Sequence, residues 1–249
     1  MEKIRVAASA DIHCRAGHPP PPAVEALAGL EGEADLLLLA GDLTTYGEPE
    51  EAEVLAAALN GIGIPVIAVL GNHDWHAARS DEVVAALQTG PIRVLERSWT
   101  IEEIRGIEVG IVGTKGFVGG FPGCHLPDFG EPSLRRVYRE TSEEVEALEA
   151  GLRAVAVCPL RLVVLHYAPT SDTLVGEPPE IWSFLGTDRL AAPLIEHHPD
   201  LVVHGHAHLG RFAGRIGEVE VFNVSVPVIG RDYWLFELEP VGAAGTSIR

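Results

Sequence analysis

Lysine is almost missing from this chain. Lys3 and Lys115 are its only two, and arginine supplies the remaining basic residues. Acidic residues outnumber basic ones 36 to 18, a formal net charge of −18. Such a surface repels phosphate backbones, which argues against a stable nucleic-acid partner. Cysteine is also scarce. Cys14, Cys124 and Cys158 are an odd number, widely spaced, with no CxxC pair, which argues against a disulfide framework and a thiolate zinc site. No apolar run approaches the ~18 residues of a membrane span, so no membrane partner is expected. The opening Met-Glu-Lys-Ile-Arg-Val leads straight into a predicted strand and lacks the apolar stretch of a signal peptide. These absences make a cytoplasmic protein the expectation.

The 249 residues suit one large α/β domain and are tight for two. With no internal repeat and no linker, a single domain over 1–249 is predicted. Apolar, β-rich runs at 3–10, 35–40, 64–70, 160–165 and 200–203 read as strands buried on both faces. Helical patterns lie between them at 22–32, 49–60, 80–89, 141–156 and 186–197. The second of these begins with Pro49 and ends near Gly61, matching helix start and stop preferences. Alternating strands and helices predict a layered α/β fold. The tail, 211–216, 218–224 and 232–238, reads as strands of a second, partly antiparallel sheet. Residues 114–140, rich in Gly, Pro and aromatics, read as a cap loop over a site, and 169–181 as a second such loop.

Each buried strand ends in a residue able to bind metal or move a proton. Those residues are Asp11, His13, Asp42, Asn72, His73, Asp74, His166, His206 and His208. Ligands of open α/β sheets gather outside such strand ends. All but His73 and Asp74 are natural metal ligands through carboxylate, carboxamide or imidazole. The series Asp11-Ile12-His13, Gly41-Asp42, Gly71-Asn72-His73-Asp74, His166 and Gly205-His206-Ala207-His208 resembles the calcineurin-like metallophosphoesterases. It spans about four-fifths of the chain, and five short pieces in order are far more specific than any one.

The resemblance implies a four-layer fold, two mixed sheets packed as a central sandwich flanked by helices. It implies two transition-metal ions. Asp11, His13, Asp42 and His208 would hold one; Asp42, Asn72, His166 and His206 would hold the other, with Asp42 bridging. Two cations bridged at ~3.5–4 Å suit in-line displacement at phosphorus, and the resemblance implies attack by a metal-held hydroxide on a phosphate ester. His73 would be the non-ligand histidine that stabilises the transition state or protonates the leaving oxygen, and Asp74 would hydrogen-bond and orient it. A donor set of N and O without thiolate suits manganese, iron, zinc, cobalt or nickel. Purple acid phosphatases of this superfamily place a tyrosine three residues after the bridging aspartate. That position is Thr45 here, so a tyrosinate–iron site is not expected. Residues 41–51 (GDLTTYGEPEE) resemble the branch containing the class III cyclic-nucleotide phosphodiesterases.

Plainer readings apply to other residues. His204 reads as structural, His76 as solvated or supporting, and Cys14 as a small buried hydrophobe. Lys115 and His125 in the cap loop, and Tyr167 after His166, are candidate substrate contacts. His197 and His198 suit the end of a helix. Glu143, Glu144, Glu146 and Glu149 read as a solvated helix face. The expected partner is a small phosphomonoester or phosphodiester, and the acidic surface leaves a homo-oligomer open. The alternatives are a nuclease of the same superfamily, opposed by the charge, and a non-catalytic metal-binding scaffold. Scaffold relatives typically lose ligands or the histidine of G-N-H-D, which this chain keeps.

Overall fold

The structure, a computed structural model, describes residues 3–240. Its strands are β1 (Ile4–Ser9), β2 (Leu36–Ala40), β3 (Val66–Val69), β4 (Ile92–Val94), β5 (Ser98–Ile104), β6 (Ile107–Gly113), β7 (Leu160–Val164), β8 (Leu201–His204), β9 (Ala213–Ile216), β10 (Val219–Asn223) and β11 (Trp234–Leu238). Its helices are α1 (Pro22–Ala28), α2 (Pro49–Ala58), α3 (Ser80–Leu87), α4 (Pro132–Ala154), α5 (Trp182–Leu185), α6 (Ala191–His197) and α7 (Val226–Ile229). One sheet has the order β11-β1-β2-β3-β4, the other β5-β6-β7-β8-β10-β9. Both are mixed. β1 to β4 are parallel with β11 antiparallel at the edge. β6, β7, β8 and β10 are parallel, flanked by antiparallel β5 and β9.

The two sheets pack face to face and helices cover their outer faces, as the sequence predicts. The run LLLLA of β2 shows why it is apolar throughout. Alternate strand residues point to opposite faces. Leu36 and Leu38 join the core between the sheets, with Val6, Ile67, Val109, Leu162 and Val203. Leu37 and Leu39 join the outer core, with Val24, Leu27, Leu55, Leu59 and Leu87 from α1, α2, α3 and their flanks. The second sheet is covered by α4 and α6 through Leu148, Leu152 and Leu194 against Val112, Val163 and Val202.

Three findings correct the sequence reading. The tail does not form a sheet of its own. β9 and β10 extend the sheet built by β5 to β8, while β11 crosses to pair with β1. Helix α4 starts at Pro132, inside the segment read as cap loop, so the irregular part of that segment ends at 131. The second half of 186–197 alone is α-helix, preceded by a 3₁₀ turn at Asp188–Leu190.

Strands β4, β5 and β6 lie where the apolar pattern predicts nothing. Glycine hides β6, because Gly110 and Gly113 weaken strand propensity. Both are needed for packing. A Cβ on Gly110 would meet Val155 Cβ at 2.5 Å, and one on Gly113 would overlap Leu95.

Asp35 fastens the start of β2 to β1. Its carboxylate accepts the Arg5 main-chain N–H at 2.8 Å and the Arg5 guanidinium at 3.0 Å, and Arg105 lies 2.8 Å away. Burial works against its charge, but the two arginines and the main-chain donor outweigh it and hold the carboxyl below its usual value. A depressed folded-state value means that this stabilisation is complete above the unfolded value of about 4 and fades as pH falls through the folded one. Asp35→Asn is therefore expected to lower the unfolding free energy at pH 7 by about 1–2 kcal/mol. Urea titrations at several pH values should show the gap closing only in acid; an equal gap at all pH values would refute this account.

Candidate metal centre

The site lies across the ends of both sheets. The loop after β1 runs beside the loop after β2, prolonging their pairing through Asp11 N–H to Gly41 O (3.0 Å), His13 N–H to Asp42 O (3.1 Å) and Cys14 N–H to Leu43 O (2.9 Å). This places Asp11, His13 and Asp42 side by side. Residues 71–74 follow β3, His166 follows β7, and 205–208 follow β8. The two sheets are joined here by His206 N–H, which donates to Asp11 Oδ2 at 3.0 Å.

Asp11, His13, Asp42 and His206 all have φ between 48° and 73°. Left-handed backbone is rare outside glycine and costs about 1–2 kcal/mol per residue. Four strained positions at one place are what a site built for function retains. They are also the positions that turn their side chains toward one another.

At this centre three groups of ligand atoms lie within 4.8 Å of one another: Asp11, His13 and His208; His13, Asp42 and His73; Asp42, His166 and His206; a fourth, Glu149, Glu196 and His197, lies away from it on α4 and α6. The first and third fall within the two predicted ligand sets. Asn72 completes the third, its Oδ1 2.9 Å from His166 Nε2. His73 Nε2 lies 3.9 Å from Asp42 Oδ2, as near as His13 Nε2 at 4.0 Å.

Main-chain carbonyls fix which imidazole nitrogen faces the centre. His13 Nδ1 is 3.3 Å from Thr44 O, His73 Nδ1 2.8 Å from Thr45 O, and His166 Nδ1 2.9 Å from Ala40 O. A carbonyl can only accept, so each Nδ1 carries the proton and each Nε2 is left with its lone pair free. Burial pushes the His13, His166 and His206 imidazoles below their ordinary values. They are neutral at pH 7, the form that binds metal.

The carboxylates test whether a cation fits. Burial opposes the Asp11 charge, but the bond from His208 at 2.9 Å, the charge of that imidazole and the Ser225 hydroxyl at 2.5 Å hold it below the usual carboxylate range. Asp42 has less relief, a single bond from His73 N–H at 2.8 Å. It is 1% exposed, and burial, with the charges of Asp11 and Asp74, drives its carboxyl well above that range. Among the described residues no lysine or arginine pairs with Asp11, Asp42 or Asp74. A buried carboxylate facing imidazole nitrogens is a donor set that suits a metal cation.

The role expected for Asp74 is not the one it has. The carbonyl of Thr45 orients His73, while the Asp74 carboxylate is fully buried and accepts four bonds. They come from Leu43 N–H (3.2 Å), Thr44 N–H (2.8 Å), Thr44 Oγ1 (2.6 Å) and Gly71 N–H (2.7 Å). Asp74 thus ties the loop after β2 to the loop after β3 and holds Asp42 in place. Thr45 Oγ1 is itself turned into the backbone, donating to the His13 and Cys14 carbonyls at 2.9 and 3.0 Å.

Of the candidate substrate contacts, Lys115 and Tyr167 line a cavity beside the centre. His125 does not; it is half-exposed and pairs with Asp188 at 3.0 Å. His204 is structural, as expected, with its ring buried between Gly205 O and Thr173 Oγ1. Cys14 is buried. Sequence reasoning missed Thr45, Ser225 and Glu144. Glu144 is no part of a solvated face. It is 2% exposed, accepts from Gly116 N–H at 2.9 Å and from Thr114 Oγ1, and pairs with Arg97.

The calcineurin-like phosphoesterase family matches residues 4–210. The chain belongs to that family. No curated protein matches it in sequence. Among solved structures, it is similar to the phosphopantetheinyl hydrolase PptH from Mycobacterium tuberculosis, at 18% identity and a TM-score of 0.65, with 98% of this chain and 99% of that one covered. It is also similar to sulfate thiohydrolase SoxB from Thermus thermophilus, at 14% identity and TM-score 0.53, covering 90% and 52%. Purple acid phosphatase from yellow lupin (Lupinus luteus) follows at 13% and 0.53, covering 90% and 44%. At these identities the likeness is one of fold. Family membership and the clustered ligand atoms support metal-dependent phosphoesterase chemistry with room for one or two ions.

Close packing at Gly71 gives a direct test. A Cβ there would overlap Asp42 Oδ1 and the Asp42 main-chain nitrogen, and would meet His166 Cε1 at 2.7 Å. Gly71→Ala is expected to weaken metal retention, read by elemental analysis after gel filtration, and to cost about 1–3 kcal/mol of stability through overpacking. Unchanged metal content and unchanged melting would refute the packing argument.

Proposed function

We propose that this protein hydrolyses a small phosphate monoester or diester at a two-metal centre, with one ion held by Asp11, His13, Asp42 and His208 and the other by Asp42, Asn72, His166 and His206. The observation that carries the proposal is Asp42. Among the described residues no lysine or arginine pairs with this buried carboxylate, and imidazole nitrogens of both groups lie within 4.0 Å of it. Bound there, the ions would act as Lewis acids, neutralising phosphate oxygens and acidifying coordinated water.

The side chains supply the rest. His73 gives its Nδ1 proton to Thr45 O, so Nε2 is the nitrogen able to carry a second proton to the leaving oxygen. At 34% side-chain exposure, His73 is open to solvent on that face and can be reprotonated between turnovers. Ala40 O fixes the His166 ring, Asn72 Oδ1 and the His166 Nε2 lone pair are placed 2.9 Å apart as donors to a shared ion, and Ser225 and His208 fix the Asp11 carboxylate. Asp74 is a positioning residue that sets the loop carrying Asp42. Nitrogen and oxygen donors without thiolate favour manganese, iron, zinc, cobalt or nickel.

Residues 41–51 resemble the branch containing the class III cyclic-nucleotide phosphodiesterases, but they lead into α2, outside the donor groups, and say little about the substrate. The net charge of −18 speaks against a nuclease. Among the described residues no helix is long and apolar enough to cross a membrane. The three cysteines are free, which fits a reducing compartment such as the cytoplasm.

The test is manganese loading followed by assay on aryl phosphomonoesters and phosphodiesters. His73→Ala is expected to keep its metal and lose about 10²–10⁴-fold in kcat, the range for a general acid. Asp42→Asn is expected to lose metal as well as activity. Wild-type turnover no faster than that of His73→Ala would leave a metal-binding scaffold as the better reading.

A further inference from the structure

A cavity of about 590 Å³ opens beside the metal centre, within the range of about 300–1,000 Å³ typical of small-molecule sites. Asn72 and Tyr167 belong to its wall, and Asn72 also touches His166. His76 lines it too, with its ring 4.3 Å from that of His73. The cavity therefore lies on the side of the centre from which His73 would protonate the departing oxygen.

Its walls are aromatic and basic. Trp75, Phe117 and Tyr167 surround Lys115, whose ammonium lies 5.7, 4.2 and 5.3 Å from their ring centres. Lys115 is 6% exposed. Of its three N–H donors, the structure gives one a partner, Gly116 O at 3.3 Å. No carboxylate lies within ion-pair distance of it among the described residues. A buried ammonium held by rings, with donors to spare, is an unusual arrangement unless an anion is to meet it.

Arg136 lines the same cavity from α4 and likewise makes no ion pair among the described residues. Glu140 is the one acid on the wall, and it is taken up by Arg97. Glu96, Glu140 and Glu144 act on the Lys115 charge from beyond ion-pair distance, and Arg97 pairs with the latter two, so the wall itself offers a ligand two cations, Lys115 and Arg136, against one acid already paired.

Lys115 is also fixed in place. Its carbonyl accepts the N–H groups of His166 and Tyr167, both at 3.0 Å. Glu144 holds the residues on either side of it, through Thr114 Oγ1 and Gly116 N–H. A metal-ligand candidate and the lysine are therefore coupled through one peptide unit. In a chain with two lysines, one is built into this wall.

We infer that this cavity receives the leaving group of the substrate, and that this group is a planar ring bearing a second negative charge, stacked against Trp75 and Phe117 and held by Lys115 and Arg136. The inference rests on the phosphoesterase reading above and narrows it from phosphate esters at large to those with an anionic, ring-bearing alcohol half.

Three matched compounds test it: phenyl phosphate, 4-carboxyphenyl phosphate and the neutral isostere 4-carbamoylphenyl phosphate. Each is assayed with manganese-loaded protein and titrated calorimetrically into protein stripped of metal by chelation. The carboxylate compound is expected to show a KM and a Kd at least about tenfold lower than the carboxamide. Intrinsic reactivity runs the other way, since the carboxamide phenol is the better leaving group. Lys115→Met and Arg136→Gln should each shrink that ratio, and Arg136 is exposed, so its variant tests the idea even if Lys115→Met does not fold. Equal KM and equal Kd for the charged and neutral compounds would overturn the inference, as would a ratio that neither variant moves. If nothing is hydrolysed but the titrations still favour the carboxylate, the catalytic reading falls and the cavity assignment stands. If all three compounds are hydrolysed and bound alike, the catalytic reading stands and the cavity assignment falls.

Discussion

Three carboxylates, Asp11, Asp42 and Asp74, are buried together at the ends of the first three strands, and among the described residues no arginine or lysine pairs with any of them. Burying an unpaired charge is among the costliest things a fold can do. Each of the three meets that cost differently. Asp74 takes four hydrogen bonds and becomes the knot between two loops. Asp11 takes His208, Ser225 and the His206 N–H, all from the second sheet and its return strands. Asp42 accepts His73 N–H and otherwise faces imidazoles. The arrangement leaves one carboxylate whose charge no lysine or arginine among the described residues balances, placed between two groups of imidazole nitrogens.

The sandwich makes that arrangement achievable. One sheet supplies Asp11, His13, Asp42, Asn72 and His73, and the other supplies His166, His206 and His208. Neither sheet alone carries a complete ligand set. The core between them, with Val6, Leu38 and Ile67 facing Val109, Leu162 and Val203, therefore does more than stabilise the domain. It fixes the spacing across which Asp42 and His166 approach to 3.3 Å. Left-handed backbone at four of these positions is strain that this packing and the strand-end hydrogen bonds hold in place.

The strand ends were legible in the sequence because a strand buried on both faces is a continuous apolar run. The polar residue that ends such a run stands out, as Asp42 does after DLLLLA. What could not be read were roles set by contacts between distant segments. Glu144 sits among Glu143, Glu146 and Glu149 and shares their pattern; only the approach of Thr114 and Gly116 separates it from a solvated neighbour. Thr45 orients His73 through its carbonyl, a group every residue has, so no side-chain pattern could announce it. Asp74 carried a signal, but the signal named a role that the Thr45 carbonyl fills. In β6, the glycines that admit Val155 and Leu95 are the same residues that erase the strand pattern.

Chemistry and selectivity are consequently built from different parts of the chain. The metal-ligand candidates sit on short loops locked to strand ends by the Asp74 knot and the Asp11–Ser225 bond. The cavity beside them shares Asn72 with those motifs and is otherwise walled by residues outside them, among them Trp75 and His76 after G-N-H-D, Lys115 and Phe117 after β6, and Arg136 and Val137 on α4. Glu144 binds the two parts together, since it anchors the Lys115 segment from α4 while Lys115 O holds the main chain at His166. Residues on α4 can therefore change what the cavity admits with little disturbance to the strand ends. A change in the Thr114–Gly116 segment would be felt on both sides at once. That asymmetry follows from hydrogen bonding alone: α4 reaches the centre through Glu144, whereas the Lys115 peptide bonds directly to the chain at His166.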